Sequence, residues 1–120
     1  MIQIFHSMPL GGLTEEQIKA NREWQYKAID NFCKEVLRQD YMILPTYIQY
    51  NPPGAKALWY LGEGIKSFLT YADYLLLAPD WREARGCRCE QFVAKEYGIS
   101  CVQIDSLNGF TWITKCDLSN

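Results

Sequence analysis

Short apolar runs alternate along the chain with longer stretches in which apolar residues recur every three or four positions. Residues 2–6 form a short apolar run followed by the turn residues Pro9, Gly11 and Gly12, which predicts a strand. Thr14, with Gln17 three positions on, is a capping-box signature. Ile18, Ile29, Phe32, Cys33, Val36 and Leu37 then recur at helical spacing, so a helix is expected to about Arg38 with that face buried. Residues 41–48 are a second β-rich run, which Pro45 ends early or places at an edge. Asn51-Pro52-Pro53-Gly54 is a loop. A shorter helix is expected over residues 57–70, with Leu58, Leu61, Ile65, Phe68 and Leu69 inward, although Gly62 and Gly64 weaken it. Residues 73–78 are the most continuously apolar run, the mark of a strand covered on both faces, and Pro79 ends it. A third helix is expected from about Ala84–Gly86 to a C′ glycine at Gly98. Residues 101–104 read as a fourth strand and 110–114 as a fifth at an edge.

Strands alternating with helices imply a single α/β domain over residues 1–120, with a four- to five-stranded parallel sheet between helical layers. Such sheets bind ligands at the carboxyl ends of their strands, where the chain order reverses. The loops over residues 7–13, 49–57 and 79–86 are therefore the places to look for a site.

Composition narrows the function. Of 120 residues, 48% are hydrophobic and 22% charged, which suits a globular core. The net charge of −2 gives no field to attract a nucleic acid polymer or an anionic lipid surface. No apolar run approaches the ~18 residues of a membrane span, and the first residues lack a secretion signal. Five cysteines form no even framework, so a cytoplasmic setting is expected. His6 is the only histidine, which leaves too few ligands for a closed zinc site beside the Cys87/Cys89 pair. Walker A and G-x-G-x-x-G sequences are absent, and Gly62-Glu63-Gly64 is a lone G-x-G. Neither a metal nor a cofactor is expected.

The segment from Pro79 to Glu90 carries the densest chemistry. Arg82, Arg85 and Arg88 fall three apart around the amino end of the third helix, where cations oppose the helix dipole. A bound anion such as phosphate would account for them; so would surface pairing with Asp80, Glu83 and Glu90. Glu90 lies four residues after Gly86, where a glycine lets a ligand approach the backbone, although spacing alone favours a solvated helix glutamate. Cys87 is either a low-pKa thiol between arginines or a small residue packed under the turn. His6 ends the first strand as a ligand contact, a proton-transfer group or a structural histidine. Trp24, Trp59, Tyr60 and Trp112 are candidates for burial against a second copy, giving a homodimer or larger assembly.

Ile4-Phe5-His6-Ser7-Met8-Pro9-x-Gly11-Gly12, Ala72-Asp73 leading a strand, and Trp81…Arg85-Gly86-x-x-x-Glu90…Ala94…Gly98 together resemble the nucleoside 2-deoxyribosyltransferase superfamily, in particular its small phage and bacterial members. The resemblance spans about residues 2 to 104. It implies a flavodoxin-like or Rossmann-like three-layer sandwich that binds a nucleoside or nucleotide. It also implies a glutamate nucleophile acting at the N-glycosidic bond, at the position of Glu90. Ser7, Gly11, Gly12 and Gly86 match the phosphate-binding places of relatives that act on monophosphates, with Arg85 sited to help. Phe5, His6, Met8, Asp80 and Trp81 complete the expected ligand-binding set. One departure stands out: the aspartate expected eight residues before Asp73 is Ile65. A protein that holds its nucleotide without turning it over is therefore a second expectation. In a phage it would act in the host cytoplasm as a sponge for a nucleotide-derived signal.

Overall fold

The computed structural model describes residues 1–46 and 52–116. Five strands, β1 (Ile2–Ser7), β2 (Tyr41–Ile43), β3 (Tyr74–Leu77), β4 (Ser100–Ile104) and β5 (Phe110–Thr114), form one sheet in the order β2-β1-β3-β4-β5. Helices α1 (Glu15–Asn31), α2 (Ala57–Ser67) and α3 (Arg85–Glu96) connect the parallel strands, giving a mixed α/β fold compatible with a three-layer sandwich. β1 through β4 are mutually parallel, as expected. β5 is antiparallel to β4, so the sheet is not parallel throughout. The reason is the connection: Asp105–Gly109 is a tight turn, closed by the Asp105 N–H to the Gly109 carbonyl at 2.9 Å, and a parallel return needs a crossover of about a dozen residues.

Each element ends where its residues dictate. Both halves of the Thr14–Gln17 capping box form, at 3.1 and 2.9 Å, with Glu15 and Glu16 in the favourable first turn. α1 then passes into a π-helical turn over Phe32–Leu37 that ends with Arg38 in the left-handed region at φ 55°. That change of winding turns Val36 out to 49% exposure, against the expectation that it shares the buried face of Phe32 and Cys33. Leu58, expected inward, is 76% exposed at the start of α2. α2 stops at Ser67, and a separate 3₁₀ turn over Leu69–Tyr71 completes the predicted span. Gly98 ends α3 at φ 78°: the Ile99 N–H reaches the Ala94 carbonyl at 2.8 Å, and the Gly98 N–H reaches that of Lys95 at 3.4 Å. The second predicted strand is paired as β2 only to Ile43; residues 47 and 48 lie outside the described residues, as do 49–51 of the following loop.

Strand alternation divides the core in two. Ile4, Leu76, Val102 and Ile104 face α1 and pack on Ala28, Ile29, Phe32 and Cys33. Phe5, Leu75, Leu77 and Cys101 face the other way and pack with Leu69, Trp81, Cys87 and Ala94. Burying one such Leu, Ile or Phe contributes about 1.5–3 kcal/mol. The fully buried Leu75, Leu76 and Leu77 justify reading this run as a two-faced strand.

Candidate functional site

The same alternation sorts the candidates at the carboxyl end of β1. Ser7 follows Phe5 onto the α3 side, while His6 follows Ile4 onto the α1 side. Ser7 Oγ donates to Glu90 Oε1 at 2.7 Å, joining β1 to the second turn of α3. Glu90 is set deep enough that loss of water raises its carboxyl from 4.5 to about 7, with the Ser7 hydrogen bond pulling the other way. Near neutrality both protonation states are populated. Across the site, α2 sets a glycine near Glu90: a Cβ built on Gly64 would lie 4.0 Å from Oε2.

The amino end of α3 is open. Ala84 occupies the N-cap position without a side-chain cap, and the first intrahelical donor is Arg88, to the Ala84 carbonyl at 3.0 Å. The N–H groups of Arg85, Gly86 and Cys87 therefore precede the hydrogen-bond ladder, a disposition that attracts anions. Nothing in the protein lies within 4 Å of a Cβ built on Gly86, so packing does not require a glycine there. Arg82 Nη1 donates to Gln103 Oε1 at 3.0 Å and its guanidinium lies 4.4 Å from the centre of the Trp81 ring. Arg88 Nη1 donates to the Arg82 carbonyl at 2.7 Å. Arg85 is exposed and makes neither kind of contact among the described residues. None of the three forms an ion pair there; the pairs found are Lys34–Asp30 and Lys66–Glu63. The alternative in which Asp80, Glu83 and Glu90 pair with the arginines is thus not seen among the described residues.

Several expected ligand contacts have structural places instead. Trp81 is 6% exposed, folded under the loop by a 3₁₀ turn, and its indole N–H donates to Gln103 Oε1 at 2.9 Å. The ring is buried, with the Arg82 guanidinium over one face, and is not a base-stacking platform. Phe5 is core as well. His6 hydrogen-bonds Gln25 Oε1 through Nε2 at 2.6 Å and meets the Tyr26 ring edge-on at 5.4 Å. Burial lowers it to about 4, so it is neutral at physiological pH and lies across the sheet from Glu90. Burial likewise pushes the Cys87 thiol up to about 11, which removes the low-pKa reading and leaves the packing one. Asp80 is exposed at the loop, near enough to Cys87 to disfavour its thiolate. Met8 is half-buried, and Gly11 and Gly12 lie in an exposed turn closed by the Leu13 N–H to the Leu10 carbonyl at 3.3 Å. Gly12 takes φ 78° there, the left-handed value that glycine adopts without strain. No hydrogen bond joins this turn to α3 among the described residues.

Two site residues escaped the sequence reading. Gly64 appeared only as a flaw in a helix, although a helical glycine costing about 1 kcal/mol relative to alanine is itself a pointer to a packing or site requirement. Gln103 is a polar residue in an apolar strand; its amide accepts from Trp81 and Arg82 and donates to Asp105 Oδ1 at 2.7 Å. Thr111 of β5 completes the chain by donating to Asp105 Oδ2 at 2.6 Å. Among the described residues no group of three or more His, Cys, Asp and Glu is placed to hold a metal, and no helix is long and apolar enough to cross a membrane. Comparison with family models, with curated proteins and with solved structures returned no match.

Proposed function

We propose that this protein binds a nucleoside or nucleotide at the carboxyl ends of β1 and β3 and that Glu90 acts on its N-glycosidic bond. The observation that carries this reading is the desolvated Glu90 carboxyl, held by Ser7 at 2.7 Å one turn from the uncapped amino end of α3. A carboxylate there would attack the anomeric carbon of the sugar, the base leaving with the bonding pair and taking a proton from water. Water or a second base would then displace the carboxylate. The α3 amino end with Arg85 supplies the anion contact that a phosphorylated sugar requires.

A second reading has its own support. No carboxylate of α2 reaches Glu90: Gly64 is opposite it, and Glu63 lies 3.9 Å from Lys66 instead. Without a partner acid to protonate the leaving base, the same pocket serves a binder that sequesters a nucleotide-derived signal. Incubating wild-type protein and Glu90→Gln with a panel of deoxynucleosides and their monophosphates, followed by chromatography of free base, decides between the two. Release by wild type and none by the variant supports catalysis. Equal release by both removes Glu90 as the nucleophile, and saturable binding with no release supports the sponge.

Assembly with a second copy belongs to this reading too, supported by the exposed Phe92 of α3 at 61% and Tyr97 just past its end at 81%. Light scattering at working concentration should give at least twice the chain mass; the monomer mass throughout would refute it.

A further inference from the structure

We infer that Ser7 is a positioning residue that fixes the Glu90 carboxyl, and that it is not a phosphate ligand. The inference rests on the reading of Glu90 as the working group of the site. A serine hydroxyl has one proton to donate, and here it goes to Glu90 Oε1 at 2.7 Å. An ionised phosphate oxygen presents only lone pairs, so it would have to compete with the Glu90 carboxylate for that proton. Ser7 is 3% exposed, and its main chain is tied to β3 by the Ala78 N–H, which donates to the Ser7 carbonyl at 2.9 Å. A hydroxyl on so fixed a backbone sets the carboxyl plane and leaves Oε2 as the oxygen without a hydrogen-bond partner among the described residues. Gly64 of α2 places no side chain of its own against Oε2. The anion contact falls to the N–H groups at the start of α3 and to Arg85.

Among the described residues, burial and the Ser7 hydrogen bond are what act on the Glu90 charge, which makes the arrangement testable by titration. β1 presents Ser7, α2 presents Gly64, and α3 itself presents Cys87, whose thiol stays protonated because burial pushes it up to about 11. Removing the hydroxyl deprives the charged form of its hydrogen bond. In Ser7→Ala the Glu90 carboxyl, followed by carbon NMR in the free protein, should titrate about one pH unit higher than in wild type. Ser7→Thr, which keeps the hydroxyl, should return it toward the wild-type value. Calorimetry with a deoxynucleoside and its 5′-monophosphate reads the second half of the inference. In Ser7→Ala the ratio of the two affinities should stay within about twofold of wild type, whereas Arg85→Ala should collapse it. An unmoved Glu90 titration, or a selective loss of monophosphate affinity in Ser7→Ala, overturns the inference. If wild-type protein binds neither ligand, the functional reading fails, while the titration still decides whether Ser7 governs Glu90.

Discussion

Gly64 of α2 stands opposite Glu90 of α3, with room for one methyl group between them: a Cβ on the glycine would reach 4.0 Å from Oε2, an ordinary van der Waals contact. Gly64→Ala is therefore expected to be accommodated and, by restricting the unfolded chain and improving helix propensity, to stabilise the fold by about 0.5–1 kcal/mol. Gly64→Leu should instead drive a side chain onto the carboxyl and abolish ligand binding. Thermal unfolding and calorimetry on both variants check this. Loss of the fold in Gly64→Ala would contradict the geometry.

Stability against pH should show two opposing slopes. Glu90 is raised to about 7 in the folded protein, so its contribution is complete below about 4.5 and is lost as pH rises through 7. His6 is lowered to about 4, so its contribution runs the other way, growing as pH rises from about 4 to 6.5. Between 4.5 and 6.5 they oppose each other, and wild type should be nearly flat with respect to these two groups. Glu90→Gln removes one slope. Its stability should rise with pH across that interval, by at most about 1.4 kcal/mol per pH unit, and should overtake wild type above pH 7. Denaturant titrations at pH 5, 6, 7 and 8 measure it; parallel profiles for the two proteins would contradict the burial of Glu90.

At the start of α3 the demands of the fold can be separated from those of the proposed ligand. Since nothing in the protein crowds Gly86, Gly86→Ala should leave the fold intact or stabilise it by up to about 1 kcal/mol. It should still weaken monophosphate binding by placing a methyl group where an anion would approach the helix. Arg85→Ala should weaken the monophosphate about 10- to 100-fold, the worth of a charge-assisted hydrogen bond, and the unphosphorylated nucleoside far less. Equal losses for both ligands would mean that Arg85 shapes the pocket and holds no phosphate.

Gln103 gives a prediction about the loop itself. Gln103→Leu leaves the indole N–H of the buried Trp81 without its acceptor and releases Arg82, which should cost about 1–3 kcal/mol. Tryptophan emission should change with it, and denaturant unfolding gives the loss. An unchanged midpoint would show that the turn is held by packing alone.

The elements whose chemistry is local were legible in the chain. Thr14 and Gln17 announced a capping box that forms as read, and Gly98 announced a helix end that takes a left-handed φ. The apolar run of β3 matched its burial on both faces. What was not legible depends on where side chains point. His6 and Ser7 are neighbours in sequence, and both were grouped with the ligand, but strand parity sends them to opposite faces of the sheet. Trp81 was placed among the expected ligand contacts, but a single 3₁₀ turn, which periodicity does not reveal, tucks it into the core. The direction of β5 was readable after all: the five residues between Ile104 and Phe110 are too few for a crossover, a limit set by chain length. Gly64 offered only the general signal of a glycine inside a helix; its partner Glu90 emerges only when α2 and α3 lie side by side.

The reversal of β5 fixes the direction in which the chain leaves the sheet. A fifth strand parallel to the others would have carried the backbone to the rim that holds Glu90. Running the other way, β5 returns the backbone to the far rim, where the Cys116 N–H donates to Ser100 Oγ at 2.9 Å beside the first residue of β4. A fluorescent reporter or surface tether joined directly after Cys116 therefore departs from the side opposite Glu90. Through such a tether the protein can be immobilised with the Glu90 rim facing solution.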